Sequence, residues 1–360
     1  MAAYTTIDDP SAYFQTTLYT GNATADTAIT NSGNSDLQPD WIWIKRRDGS
    51  ADHNSFDSTR GTGKHLAQNQ TQGENTVNGV TAFNTDGFTL STNGDSNYNT
   101  GTFAAFQWKA NGGTTSSNTD GDLTSTVQFN STAKFSIITY TGKDPIEPLD
   151  IGHGMGEAPD FYIVKNRDRA ANWGVYHKNL TSPAQNRNLK LNLANAEAAE
   201  STFWRNEAPT TTNILTGENA SVNVANEKFV VYAWKSVRGF SKFGSYEGNG
   251  DATNGPFVFT GFSPAWVMIK NIETANRPWY MFDNQRRTFN PNGLFLRANT
   301  SDAEANDQAI DMLSNGFKIR PDALGSYGTS SINHSGQTMV YMAFAQHPFT
   351  TSTGIPTTAR

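Results

Sequence analysis

The segment PDWIWIK at residues 39–45 decides the fold of this chain. Its side chains are apolar or aromatic on both alternating faces, which is typical of a strand that is covered on both sides. Related segments occur at residues 159–165 (PDFYIVK) and 264–270 (PAWVMIK). Copies that begin 120 and then 105 residues apart are too widely spaced for a solenoid and fit small domains. The sequence therefore predicts three copies of one unit, each built around a central strand.

Two further signals recur with this strand. A Tyr-x-Gly triplet precedes each copy, and an aromatic-rich segment closes it at residues 103–109, 231–235 and 341–345. In the first and third copies, Asp-Gly (residues 86–87) and Asn-Gly (residues 315–316) predict the turns of β-hairpins. The second copy has no clean equivalent, and residues 214–217 are its best candidate.

We predict an all-β fold of three tandem antiparallel β-sandwich repeats with very little helix. Charged residues make up 17% of the chain, and Ser, Thr, Asn and Gly take their place, which favours turns and neutral polar surfaces. The stretch at residues 110–122 is rich in Gly, Ser, Thr and Asn and predicts a flexible linker. The predicted units are repeat one (1–110), a linker with a lead-in strand (111–134), repeat two (135–238), repeat three (239–349) and a C-terminal tail (350–360).

Helix signals are sparse. Ser301 and Glu304 form a capping-box pattern before apolar residues at helical spacing, which predicts two or three helical turns from Ala305. Asn195 opens a short Ala/Glu run at the corresponding place in the second copy. We expect both segments to lie in loops.

Charged residues recur at equivalent positions of the repeats. Asp57 is followed by Arg60 in the first copy, and Asp283 by Arg286 in the third. Acids that recur in this way favour a local ion pair that holds a turn over a catalytic carboxylate. Each central strand ends in a lysine whose ammonium group we expect to reach solvent; these are Lys45, Lys165 and Lys270.

The eight tryptophans fall into two groups. Five lie in the repeated strands and are predicted to be core residues: Trp41, Trp43, Trp108, Trp234 and Trp266. The other three, Trp173, Trp204 and Trp279, lie in or beside less regular segments. Exposed aromatic rings can stack on a sugar or fill a partner's pocket, so these three are the candidate ligand-binding residues. Ordinary edge packing is the alternative interpretation.

The sequence offers no strong sign of a metal or cofactor site. The chain has no Cys, and none of its six His residues forms a close ligand pair. Asp120 and Asp122 with loop carbonyls could bind calcium, but no ordered ligand spacing supports this. No nucleophile motif is present, so we predict neither a cofactor, a metal site nor a catalytic residue.

Charge and hydropathy limit the partners. A net charge of −6 argues against a nucleic-acid binder, whose affinity would come from clustered cations. No apolar run approaches the roughly 18 residues that cross a bilayer, so no membrane insertion is expected. The first ten residues lack the basic and apolar regions of an export signal.

At these motifs the chain resembles virion structural or tail-fibre-like proteins of tailed bacteriophages of marine bacteria. The resemblance rests on residues 39–45, 56–60, 86–88 and 106–113, and extends to residues 164–167 and 239–245. It implies concanavalin- or laminin-G-like jelly-roll sandwiches, and it carries no catalytic residues.

The resemblance implies a non-enzymatic virion protein that is assembled in the host cytoplasm and released by lysis. We expect a tail-fibre or appendage component that contacts host-surface glycans or another receptor. Its expected partners are other virion proteins and further copies of itself, a trimer being one candidate. The alternative is a capsid-decoration or tail-joining protein without a receptor role. A glycan depolymerase is a more distant third, because this repeat length does not provide the long β-helix typical of such enzymes.

Overall fold

The computed structural model describes residues 3–143, 149–251, 253–320 and 331–357. Nearly all of its regular structure is antiparallel β-sheet, so the prediction of an all-β, sandwich-like fold is confirmed. We call residues 3–110, 111–238 and 239–349 the first, second and third units. The described helices are single turns: α1 (Gly94–Asn97), α2 (Ser201–Trp204) and the 3-10 turns Pro10–Ala12 and Ala184–Asn186.

The strands follow the units in chain order. The first unit contains β1 (Phe14–Thr20), β2 (Thr27–Ile29), β3 (Trp41–Arg46), β4 (Asn54–Asp57), β5 (Lys64–His65), β6 (Asn75–Thr76), β7 (Val80–Asn84), β8 (Gly87–Leu90) and β9 (Thr102–Trp108). The second contains β10 (Ser116–Asn118), β11 (Ser125–Asn130), β12 (Phe135–Thr141), β13 (Leu149–Gly152), β14 (Phe161–Asn166), β15 (Gly174–His177), β16 (Arg187–Lys190), β17 (Ala198–Ala199), β18 (Asn213–Thr216) and β19 (Lys228–Trp234). The third contains β20 (Ser241–Glu247), β21 (Phe257–Phe259), β22 (Phe262–Asn271), β23 (Tyr280–Asp283), β24 (Asn292–Arg297), β25 (Ala305–Leu313), β26 (Gly316–Ile319) and β27 (Thr338–Pro348).

Each unit contributes one large sheet, and the three sheets share an order of four strands. That order is β1-β9-β3-β4 in the first, β12-β19-β14-β15 in the second and β20-β27-β22-β23 in the third. The predicted central strands β3, β14 and β22 all lie inside their sheets. Their pairing is equivalent too, because Trp41 faces Trp108, Phe161 faces Trp234 and Trp266 faces Phe344.

Each large sheet is covered on both faces. One face packs on its own unit, for example on the small sheet β2-β8-β7 or the pair β13-β18. The other face joins a single core that all three units share. At its centre the Trp108 ring lies 6.2 Å from the Trp234 ring and 5.9 Å from the Trp266 ring, measured between centroids. The three units therefore pack around one aromatic core, to which the five repeated-strand tryptophans belong as predicted.

The units also join edge to edge in a closed ring. We call the boundaries between them the first–second, second–third and third–first seams. Each seam carries an equivalent backbone hydrogen bond: Glu74 N to Arg167 O (2.6 Å), Glu197 N to Ile272 O (2.8 Å) and Glu304 N to Arg47 O (2.8 Å). The ring arrangement explains why a sequence without disulfides holds three units together, since every unit is fixed by two neighbours and by the common core.

Two local predictions were wrong. The segment from Ala305 is the strand β25, not a helix, because it pairs with β24 on one side and with β26 on the other. Residues 110–122 are not a free linker either. The Asp40 carboxylate accepts hydrogen bonds from the backbone N–H groups of Ala110, Gly112 and Gly113, and β10 adds to the second sheet. The hairpins predicted at residues 86–87 and 315–316 are present as β7–β8 and β25–β26.

The lysines that close the central strands are buried rather than solvent-reaching. Lys45, Lys165 and Lys270 are all 0% exposed; the ammonium group of Lys45 donates to one backbone carbonyl, and those of Lys165 and Lys270 donate to two each. Burial lowers the pKa of Lys45 to about 8 and the pKa values of Lys165 and Lys270 to about 7. The prediction failed because the loops that follow these strands fold over the strand ends.

Candidate functional site

The three tryptophans predicted to bind a ligand are buried. Trp173, Trp204 and Trp279 expose 0%, 0% and 2% of their surface. Trp204 packs among the aromatic rings of the second unit, such as Tyr162 and Tyr176. None of the three can stack on a sugar from solvent, so this assignment was wrong and the edge-packing alternative describes them better.

Two of these tryptophans hold seams together. The ring N–H of Trp173 donates to Ala67 O of the first unit (2.9 Å), and that of Trp279 donates to Lys190 O of the second (3.2 Å). The first unit has His53 at the equivalent position, immediately before β4. Trp43 donates to His53 Nδ1, so Nε2 carries the proton and donates to Arg297 O of the third unit (3.0 Å). The sequence contained a signal for this shared role, because His53, Trp173 and Trp279 each immediately precede an equivalent strand.

At two seams the chain that leaves the last strand of a unit is fixed by an acid. Asp40 accepts from the N–H groups that follow β9, as described above. At the second–third seam, Asp160 accepts from the backbone N–H and hydroxyl of Ser236, which follows β19. Its pKa is lowered, because hydrogen bonds from Ser236, Lys235 and Lys178 outweigh the opposing effect of burial. Both acids stand in a Pro-Asp-aromatic triplet at the start of the central strand.

The third–first seam has no acid in its triplet, and its acid comes from the N-terminal segment instead: Asp8 accepts from the backbone N–H and the hydroxyl of Ser352, in the tail that follows β27. Ala265 replaces the acid in its Pro-Ala-Trp triplet and has no side chain that could fix a chain. Strand β27 continues past Phe344 to Pro348 and stays paired with the start of β22. Beside Ala265 itself, no described acid holds a chain segment in the way Asp40 holds residues 110–113. A groove remains, and we call it the seam groove.

The seam groove consists of two adjoining cavities of about 330 and 230 Å³. Four polar residues line both: Asn284, Gln285, Gln346 and His347. The first unit adds the loop Ser32, Gly33 and Asn34 with Asp9 and Gln15, and the third adds Arg287, Phe289, Asn290, Asn292 and Met312. Most of these side chains are neutral amides or hydroxyls that can both donate and accept hydrogen bonds.

Local contacts position the walls of the groove. Asn290 exchanges two hydrogen bonds with the backbone of Met312, at 2.8 and 2.9 Å. Gln15 donates to Ser35 O and accepts from Gly33 N, which fixes the loop of the first unit. These bonds hold the polar walls in place before any ligand arrives.

One aromatic ring stands at the rim. Phe289 is 61% exposed, and the guanidinium carbon of Arg287 lies 4.5 Å from its ring centroid. The opposite wall carries one acid, Asp9. Burial raises its pKa, but hydrogen bonds from Ser11 and Ser35 and the charge of His347 outweigh that effect and lower it. The groove thus combines neutral hydrogen-bonding groups with one exposed ring face.

The described part of the groove presents hydrogen-bonding groups and no cluster of metal ligands. In the ranges that the structure describes, no group of three or more His, Asp or Glu side chains is placed to hold a metal ion. Among the same residues, no helix is long and apolar enough to span a membrane. Sequence reasoning missed the groove, yet the replacement of the repeated Asp by Ala265 was a visible signal of a seam that differs from the other two.

The fold defines an all-β protein of three large antiparallel sheets closed around one aromatic core, with the seam groove between the third and first units. The chain belongs to the DUF7483 family, a domain of unknown function, whose model matches residues 9–348. No curated protein and no solved structure matches the chain.

Proposed function

We propose that this chain is a non-enzymatic structural protein of a bacteriophage virion, exposed on the particle as part of a tail fibre or appendage. In this proposal the seam groove contacts glycans of the host surface. The observation that carries it is the third–first seam, where neutral amide side chains and Phe289 line a preformed groove.

The chemistry of the groove supports a saccharide ligand. Sugar hydroxyls both donate and accept hydrogen bonds, as do Ser32 and the amides of Asn34, Gln285 and Gln346 in the walls. The C–H face of a sugar ring can pack on the exposed Phe289. A single groove of this kind binds weakly, but repeated copies on a particle would add by avidity. The virion assignment itself rests on the sequence resemblance.

Cryo-EM of virions produced with this chain tests the proposal. We expect the copies to project from the particle with Phe289 and the rest of the seam groove facing solvent. A map in which neighbouring proteins cover the groove would contradict the receptor role.

One observation favours a second candidate, a decoration or joining protein. The third unit and the following tail expose large apolar side chains, among them Phe257, Phe349 and Ile355 at 46%, 38% and 63%. Large exposed apolar side chains of this kind are available to pack against a neighbouring protein. In the same map, a decoration protein would bury these three residues against capsid or tail proteins.

A further inference from the structure

A second groove lies at the outer end of the second–third seam and combines cations with aromatic rings. We call it the Phe259 groove. It has a volume of about 450 Å³ and is lined by Tyr4, Lys178, Ser236, Arg238, Ser241, Lys242, Phe243, Phe259, Thr260 and Gly261. Three of these residues are cationic and none is acidic. In a chain of net charge −6, this is a local concentration of positive charge.

The three cations are only partly neutralised. Lys178 forms an ion pair with Asp160 at 3.0 Å. Arg238 has no ion pair within the described ranges, and its guanidinium carbon lies 4.2 Å from the Tyr4 ring centroid. Lys242 donates to the backbone carbonyl of Phe259 at 2.6 Å and has no acidic partner there either. Its pKa is lowered first by burial and then by the charge of Lys178. An anion in the groove would relieve this repulsion.

The aromatic part of the groove is accessible. Phe259 is 52% exposed and ends β21, while Val258 before it points into the core and is 5% exposed. The Lys242 ammonium lies 5.3 Å from the Phe259 ring centroid. A ligand that packs on Phe259 therefore brings any negative group that it carries close to Lys242.

We propose that the Phe259 groove binds a carboxylate-bearing saccharide. The carboxylate pairs with Arg238 and Lys242, and the C–H face of the sugar ring packs on Phe259. An acidic peptide would offer the same charge, but its carboxylates stand on flexible stems without a flat apolar face beside them. The site is separate from the seam groove, so it does not depend on the function proposed above.

Calorimetric titration of the full chain tests this site, with tri-galacturonic acid as the probe and neutral galactotriose as its uncharged counterpart. We expect the acidic probe to bind, the neutral one to bind at least about tenfold more weakly, and salt to weaken the acidic complex. Arg238→Gln and Phe259→Ala should each weaken binding of the acidic probe about tenfold or more.

Two matched variants serve as controls. Phe257 is exposed on the same strand but does not line the groove, so Phe257→Ala should bind like the parent. Arg46 stacks on Tyr98 as Arg238 stacks on Tyr4, but Arg46 lies outside the groove and is paired with Asp48. Arg46→Gln should therefore also bind the acidic probe like the parent. Equal affinity for the acidic and neutral probes would overturn the proposal, as would parental binding by Arg238→Gln. Binding of tri-glutamate but not of tri-galacturonic acid would overturn the saccharide assignment.

Discussion

The first–second and second–third seams share an equivalent backbone hydrogen bond but differ in their side chains. The first–second seam has charged side chains where the second–third seam has His177, Leu180 and Ile272. At the first–second seam, Arg167 of the second unit forms a bidentate pair with Glu74 (2.8 and 2.9 Å). Glu74 also accepts from Arg60 (3.0 Å), which is paired with Asp57, so the charges form a chain into the interior. The second–third seam has His177, Leu180 and Ile272 at the equivalent positions, all at most 4% exposed.

The third–first seam repeats the charged version. Asp283 pairs with Arg286, Arg286 with Glu304 (3.0 Å) and Glu304 with Arg47 (2.9 and 3.0 Å). The local Asp–Arg pairs predicted from the sequence are therefore confirmed, and each is extended across a seam. Arg60 and Arg286 have fully buried side chains, and burying charges offsets much of the attraction between them.

Backbone geometry, rather than side-chain charge, is what the three seams of the ring have in common. All three seams have the Glu N–H to carbonyl bond although only two have a buried Asp–Arg pair. Buried ion pairs are a weak source of net stability, but they penalise wrong partners strongly. We infer that the buried ion pairs of the first–second and third–first seams determine which edges of the units pair with each other. The second–third seam contributes mainly by packing.

The largest expected effect comes from breaking one buried pair. Asp57→Ala leaves Arg60 buried without its main counter-ion and removes the acceptor of the Tyr232 hydroxyl (2.7 Å). We expect the free energy of unfolding to fall by about 3–5 kcal/mol in urea denaturation. The double variant Asp57→His with Arg60→Leu introduces the residues found at the second–third seam, and its free energy of unfolding should fall by less than that of Asp57→Ala. If Asp57→Ala lowers the free energy of unfolding by less than about 1 kcal/mol, the Asp57–Arg60 ion pair is not desolvated in the way proposed here.

The buried lysines should make stability depend on pH. Burial lowers the pKa values of Lys165 and Lys270 in the folded chain to about 7, below the value of about 10.4 for a lysine in water. Between these values the unfolded chain binds more protons, so stability rises with pH from about 7 towards 10. The slope is at most about 1.4 kcal/mol per pH unit for each lysine. Lys270→Met should reduce the slope in urea titrations at pH 7, 8 and 9, and an unchanged slope would show that Lys270 does not titrate in this range.

A smaller effect is expected from the ring N–H groups that cross the seams. Trp279→Phe keeps most of the ring but leaves Lys190 O without this donor, which should cost about 1–2 kcal/mol. Trp204 is buried to a similar degree, and its ring N–H has no partner among the described residues, so Trp204→Phe is a control for volume alone. Equal losses in thermal unfolding of the two variants would show that the hydrogen bond to Lys190 contributes nothing.

The smallest effect is expected at the rim of the third–first seam. The Arg47 side chain is 20% exposed, so Arg47→Gln should cost about 1 kcal/mol or less, and less still in high salt. Arg46→Gln removes a pair with the 38%-exposed Asp48 and should cost less than Arg47→Gln. A larger loss for Arg46→Gln would contradict the role of Arg47 in joining the units.

Much of the fold could be predicted because it is local. Two-sided apolar strands such as β3, and the Asp-Gly and Asn-Gly turns, specify strand and hairpin from a few neighbouring residues. The helix predicted from Ala305 failed because pairing with two neighbouring strands overrode a capping pattern. The lysines and Trp173 were misplaced for a related reason, since their burial depends on the loops that follow their strands and, for Lys165 and Trp173, also on residues of the first unit.

The candidate site was harder to predict because it is defined by a difference between repeats. Asn284 and Gln346 have no unusual sequence context, and they line a groove because no acid stands at Ala265 to hold a described chain segment over them. A comparison of the three Pro-x-aromatic triplets would have located the unusual seam. Such a comparison would not have identified the residues that line the groove, because they come from loops near both ends of the chain.

Binding of neutral oligosaccharides to the parent chain and to Phe289→Ala tests whether the seam groove is a glycan site. We expect a neutral glycan on an array to bind the parent, and Phe289→Ala to weaken this binding about tenfold. Tyr98→Ala is the matched control, because Tyr98 is also exposed and stacked with an arginine but lies outside the groove. Parental binding by Phe289→Ala, or no neutral ligand for the parent, would contradict the assignment of the seam groove as a glycan site.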